Sequence, residues 1–101
     1  MQLRSAIDYI DQHLASQVSL TQMAQAASMS PKYFCRFFYQ MTHHTPIEYL
    51  NIQRIEHACF ALSTTDDPIT SIALSCGFND LSYFIRTFKR YKGITPGQYR
   101  G

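Results

Sequence analysis

Two sets of side chains share one spacing. Lys32, Cys35, Arg36 and Tyr39 fall at i, i+3, i+4 and i+7, and Ser82, Ile85, Arg86 and Lys89 repeat that spacing fifty residues later. On a helix such positions form a single face. The chemistry they offer is recognition, not bond-breaking. An arginine guanidinium matches O6 and N7 of guanine with two hydrogen bonds, and isoleucine suits a thymine methyl. Lys32 can reach a base or a phosphate, and Ser82 can bond to either. Should the partner be a nucleic acid, Lys32, Cys35, Arg36, Ser82, Ile85 and Arg86 are the candidates for reading bases. Tyr39, Lys89, Arg90 and Lys92 are the candidates for phosphates, which hold register without reading sequence. Tyr33 and Tyr83 lie at the edge of the faces and divide between packing and phosphate contact. Arg54 is read as a structural link to a neighbouring helix end in preference to a backbone contact.

Other chemistries find little support. No Ser-His-Asp or Cys-His grouping is apparent, and Asp66 and Asp67 read as turn and cap residues, so no enzyme is expected. The three cysteines are an odd number without a C-x-x-C pair, which suits a reducing compartment. Cys59 and Cys76 sit on apolar positions, whereas oxidation of Cys35 would disturb the face it shares with Arg36. His43 and His44 lack clustered partners, and His57 and Cys59 point to different sides, so neither a metal nor a cofactor is expected.

A chain of 101 residues with 46% apolar and 16% charged residues fits one core-forming domain. No apolar run reaches the roughly 18 residues of a membrane span, and the start lacks a signal peptide's apolar stretch, so a soluble cytoplasmic protein is expected. The net charge of +2 is unevenly placed: −1 over residues 1–29, +2 over 30–47, −4 over 48–80 and +5 over 81–101. That basic end calls for a polyanionic partner.

The elements that must position these faces are helices. Each proline follows a cap residue, in Ser30-Pro31, Thr45-Pro46, Asp67-Pro68 and Thr95-Pro96, and proline suits the first helical position. Capping boxes are legible at Ser19…Gln22, Thr45…Glu48 and Thr95…Gln98, with a further cap at Asn79-Asp80. Helical stripes run through Leu3, Ile7, Ile10 and Leu14; Leu20, Met23, Ala24 and Ala27; and Phe34, Phe38 and Met41, with Phe37 alongside. The longest covers about 46–63, where Ile52 and Phe60 widen the apolar face. Two shorter stripes and a final turn at 96–100 complete an all-α reading with about seven helices. Only Tyr39 among the aromatic residues is expected to face outward.

The chain also repeats itself. At an offset of fifty, Tyr33/Tyr83, Phe34/Phe84, Arg36/Arg86, Phe38/Phe88, Thr45/Thr95, Pro46/Pro96 and Tyr49/Tyr99 are identical, and at 49 Ala24/Ala73 and Thr21/Thr70 align. The repeated unit is a short helix, a tight turn and a longer helix, which is the helix-turn-helix pattern. Gly77 sits in the second turn, and Ser28 holds the equivalent place under strain if a positive φ is needed. Two subdomains are expected, about 1–45 and 64–101, joined by a bridging helix at about 46–63.

With "CGFNDLSYFIRTFKRYKGITPGQYR" at its end, this arrangement resembles the DNA-binding domain of the AraC/XylS family of bacterial transcription regulators, from about Ala6 to Arg100. The resemblance implies that the face holding Arg36 and Arg86 meets base edges of double-stranded DNA. It implies recruitment of RNA polymerase, most often for activation, and an effector or dimerisation domain elsewhere. The competing reading is a helical protein-interaction module, which a basic polar face argues against. A bridge of about eighteen residues is roughly 27 Å long at 1.5 Å per residue. Successive major grooves are about 34 Å apart, so a bent site of about two helical turns is expected.

Overall fold

The computed structural model describes residues 2–101 and is entirely helical. The helices are α1 (Gln2–Gln12), α2 (Leu20–Ala26), α3 (Pro31–Thr42), α4 (Pro46–Thr64), α5 (Ile69–Ser75), α6 (Leu81–Lys92) and α7 (Pro96–Arg100). Side-chain oxygens fix most of their starts by accepting from backbone N–H groups that would otherwise be orphaned. Ser19 and Gln22 form a reciprocal box at α2, as do Thr45 and Glu48 at α4 and Thr95 and Gln98 at α7. Ser30 caps α3 and Asp80 caps α6. The start of α5 departs from expectation. Pro68 itself is the cap residue there and makes no side-chain hydrogen bond. Asp67 lies one residue too early to reach the helix, and its own N–H donates to Thr65 Oγ1 at 3.3 Å.

The chain forms two compact units, Met1–Leu50 and Asn51–Gly101, the division falling within α4. In the first, Ala6, Ile10, Leu14, Met23, Ala24, Ala27, Phe34, Phe38 and Leu50 are buried together. In the second, Ile55, Ala58, Cys59, Leu62, Ile72, Ala73, Cys76, Phe78, Phe84 and Phe88 do the same work. Within each unit a short helix turns into a longer one through the same backbone device. Met29 N–H donates to Ala24 at 3.0 Å, and Phe78 N–H donates to Ala73 at 2.9 Å. These six-to-one bonds need a left-handed residue between their ends. Gly77 supplies it at φ 101°, and Ser28 supplies it at φ 58°.

Of the repeated identities, Phe34/Phe84, Phe38/Phe88 and Pro46/Pro96 are buried in both copies. Tyr49 sets its ring edge against Phe38 at 5.4 Å, and Tyr99 does so against Phe88 at 5.5 Å. These pairs tie the entry of each following helix to the longer helix of its own unit. Three residues expected on apolar faces are not core: Met41 is 54% exposed, Ile47 43% and Phe60 72%. Met41 lies in the last turn of α3, beyond the reach of the cluster around Phe38, and Phe60 lies on the solvent side of α4.

Candidate nucleic-acid interface

The orientation of α6 is set from its two ends. Asp80 Oδ1 accepts from the N–H groups of Ser82 at 2.8 Å and Tyr83 at 3.2 Å, and Gly93 takes the left-handed conformation that ends the helix. Phe84, Thr87 and Phe88 are buried, so the opposite face is committed to solvent. Ser82, Arg86, Lys89 and Arg90 are exposed there, while Ile85 is half-buried against the core. In α3 the same logic applies. Burial of Phe34 and Phe38 leaves Lys32, Arg36 and Tyr39 exposed, with Cys35 half-buried beside them. His43 closes α3 at φ 63°, where Gly93 stands in α6.

Some of these side chains are gathered and some are not. Cys35, Arg36 and Tyr39 border one surface hollow of about 320 Å³ together with Gln40 and Thr45. Arg86 and Arg90 border another of about 290 Å³ with Asn51, Tyr83, Thr87 and Tyr91. Arg36, Arg86, Lys89 and Arg90 take part in no ion pair among the described residues. Lys92 differs. Its Nζ lies 2.6 Å from Glu56 Oε1, and the hydrogen bond to Glu56 holds its pKa above the ordinary lysine value. A phosphate would have to compete for it.

Arg54 is half-buried, with its guanidinium 5.9 Å from the Phe78 ring centroid, and burial lowers its pKa. This fits the structural role expected of it more than a backbone contact. The aromatic expectation is corrected, since Tyr33 at 58%, Tyr83 at 43% and Phe60 at 72% are exposed as well as Tyr39. Besides the Lys92–Glu56 pair, two polar links escaped sequence reasoning. Asn51 Nδ2 donates to Tyr83 Oη at 2.9 Å, and Arg100 donates to the carbonyls of Leu62 and Thr65 at the end of α4. Their partners lie more than thirty positions apart in the sequence. No periodic signal connects them.

Burial raises the pKa of Cys59 and Cys76, which keeps both thiols neutral. Among the described residues no group of three His, Cys, Asp or Glu side chains could hold a metal ion, and no helix is long and apolar enough to cross a membrane.

Two units, each ending its short helix in the same turn and presenting its longer helix to solvent, define a tandem helix-turn-helix domain. A family model described as a helix-turn-helix domain matches residues 23–101. An uncharacterised helix-turn-helix-type transcriptional regulator of Staphylococcus aureus (strain COL) is 39% identical over 98 residues, covering 93% of this chain and 13% of that protein. The chain thus spans a small part of the curated relatives it matches first. The crystal structure of the DNA-binding domain of AdpA, a global transcriptional factor, in complex with a target DNA aligns with a TM-score of 0.92 and 30% identity. That alignment covers 98% of this chain and 89% of the other. A Chromobacterium violaceum regulator with an AraC-type DNA-binding domain aligns with a TM-score of 0.90 and 26% identity, covering 98% and 88%. The chain belongs to the AraC/XylS family of transcription regulators and corresponds to its DNA-binding domain.

Proposed function

We propose that α3 and α6 each read bases in the major groove of duplex DNA, and that binding at a promoter activates transcription by recruiting RNA polymerase. Lys32, Cys35 and Arg36 read from α3, and Ser82, Ile85 and Arg86 read from α6. Tyr39, Lys89, Arg90 and Lys92 hold phosphates, with Lys92 released from Glu56 on binding. The observation that carries this reading is the pair Arg36 and Arg86. They occupy one place in two copies of a helix whose buried Phe34/Phe84 and Phe38/Phe88 are repeated, while the neighbouring exposed positions differ (Lys32 and Ser82, Tyr39 and Lys89). Two readers of different DNA words need that combination. Similarity to a domain solved on its target DNA adds support.

Phosphate neutralisation releases counterions, so affinity for duplex DNA falls with salt by a log–log slope of about −0.9 per phosphate contacted. Fluorescence anisotropy across a salt series tests this directly, and salt-insensitive or absent binding contradicts it. The activation step is tested by run-off transcription from a selected promoter with purified polymerase. Equal transcript with and without the protein at saturating occupancy contradicts that step alone.

A further inference from the structure

The hollow bordered by Asn51, Tyr83, Arg86, Thr87, Arg90 and Tyr91 lies along the flank of the exposed face of α6. Tyr83, Arg86, Thr87, Arg90 and Tyr91 follow at i, i+3, i+4, i+7 and i+8, one continuous side of the helix. Two guanidiniums reach this hollow and no carboxylate borders it. Asn51 is 9% exposed and donates through Nδ2 to Tyr83 Oη at 2.9 Å. A phenolic hydroxyl has one proton and acceptor capacity. With its oxygen accepting from Asn51, the proton of Tyr83 is left to donate, and the 43% exposure of the residue leaves room for an acceptor.

We infer that this hollow is a phosphodiester seat, in which Tyr83 donates to a phosphate oxygen of duplex DNA beside Arg90, and Asn51 is the positioning residue that fixes the hydroxyl in its donor role. The inference deepens the DNA-reading function proposed above and rests on it. A helix lying in a groove meets bases with its leading face and the backbone with its flanks. The face led by Ser82, Ile85 and Arg86 is the former, and the Tyr83–Arg90 side is one such flank. Arg86 borders both. In α3 the matching positions hold Tyr33, Arg36 and Gln40, so the first unit carries one charge fewer on this flank.

The test uses the whole 101-residue chain and random-sequence duplex DNA. Tyr83→Phe keeps the ring, whose centroid lies 6.0 Å from that of Phe78, and removes the hydroxyl. Roughly ten- to hundredfold weaker binding is expected, as for one hydrogen bond to a charged group. Because the lost donor is neutral, the salt slope stays unchanged, whereas Arg90→Gln lowers it by about one unit. Asn51→Leu should weaken binding to a similar degree and add little on top of Tyr83→Phe. Each variant is assayed well below its own thermal midpoint. Wild-type affinity in Tyr83→Phe overturns the seat. A full extra loss from Asn51→Leu in the Tyr83→Phe background overturns the positioning role. If inorganic phosphate at constant ionic strength raises the thermal midpoint of the wild type but not of Tyr83→Phe, and leaves DNA affinity unchanged, the seat is one for free phosphate, and the DNA assignment is overturned. A wild-type chain that binds no duplex sinks the broader function and is told apart from all of these.

Discussion

Lys92 Nζ rests 2.6 Å from Glu56 Oε1, so a basic side chain at the end of α6 is held by a carboxylate of α4 within the same unit. The pair is partly exposed, and its contribution to stability is small. Its consequence for DNA is larger, because the carboxylate both occupies the lysine and repels phosphate. Glu56→Gln is expected to tighten duplex binding and to steepen the log–log salt slope by up to about one unit. Anisotropy titrations at four salt concentrations check this. Unchanged affinity and slope would remove Lys92 from the phosphate set.

The left-handed turn residues differ in cost. Ser28 at φ 58° carries a Cβ where glycine carries none, and its counterpart Gly77 at φ 101° does not. Ser28→Gly should therefore stabilise the chain by about 0.5–1 kcal/mol, net of the freedom that glycine adds to the unfolded chain. Urea denaturation reads the difference. A loss of stability would mean that the serine side chain supports the turn in another way.

Thiol chemistry should sort the cysteines. Cys35 is half-buried, while Cys59 and Cys76 are buried with pKa values raised by desolvation. A raised thiol pKa means that the neutral form stabilises the fold. That contribution is complete below the unfolded thiol value of about 8.5 and is lost as pH rises through the higher native value. A native-state titration with a chromogenic thiol reagent near pH 8 is expected to show one fast cysteine. The other two should appear only on unfolding, and three fast thiols would contradict the packing.

Core and periphery should separate sharply along α3 and α6. Phe88→Ala removes a fully buried ring from beneath Tyr99 and should cost about 3–5 kcal/mol. Met41→Ala, at a site 54% exposed, should cost less than about 1 kcal/mol. Thermal and urea unfolding of both variants provide the comparison.

The last pair marks where sequence reasoning reaches its limit. Caps at Ser19, Ser30, Thr45, Asp80 and Thr95 were legible because capping depends on residues three apart or fewer, all in one stretch of chain. The aromatic repeat was legible at Phe38 with Tyr49 and Phe88 with Tyr99, where identical residues at one offset serve one packing geometry twice. Met41 and Phe60 were misplaced because periodicity finds an apolar face without saying how far along it a neighbour extends. Asp67 was misplaced because a proline after an acid looks like a first helical residue, although Pro68 itself ended up as the cap. Asn51 with Tyr83, and Arg100 with the end of α4, join elements by tertiary geometry that local spacing does not encode. The outward faces of α3 and α6 could be placed from the burial of Phe34, Phe38, Phe84 and Phe88. Their partner in solution comes from family membership and charge.

The central claim is that α3 and α6 read separate base words through Arg36 and Arg86. Selection of bound sequences from random duplex DNA, run in parallel for the wild type, Arg36→Ala and Arg86→Ala, tests it most directly. Two blocks of base preference are expected in the wild type, with each variant losing discrimination of about 1–3 kcal/mol at one position of a different block. If either arginine is lost and every preference survives at uniformly lower affinity, that arginine touches only phosphate, and the two-reader account is contradicted.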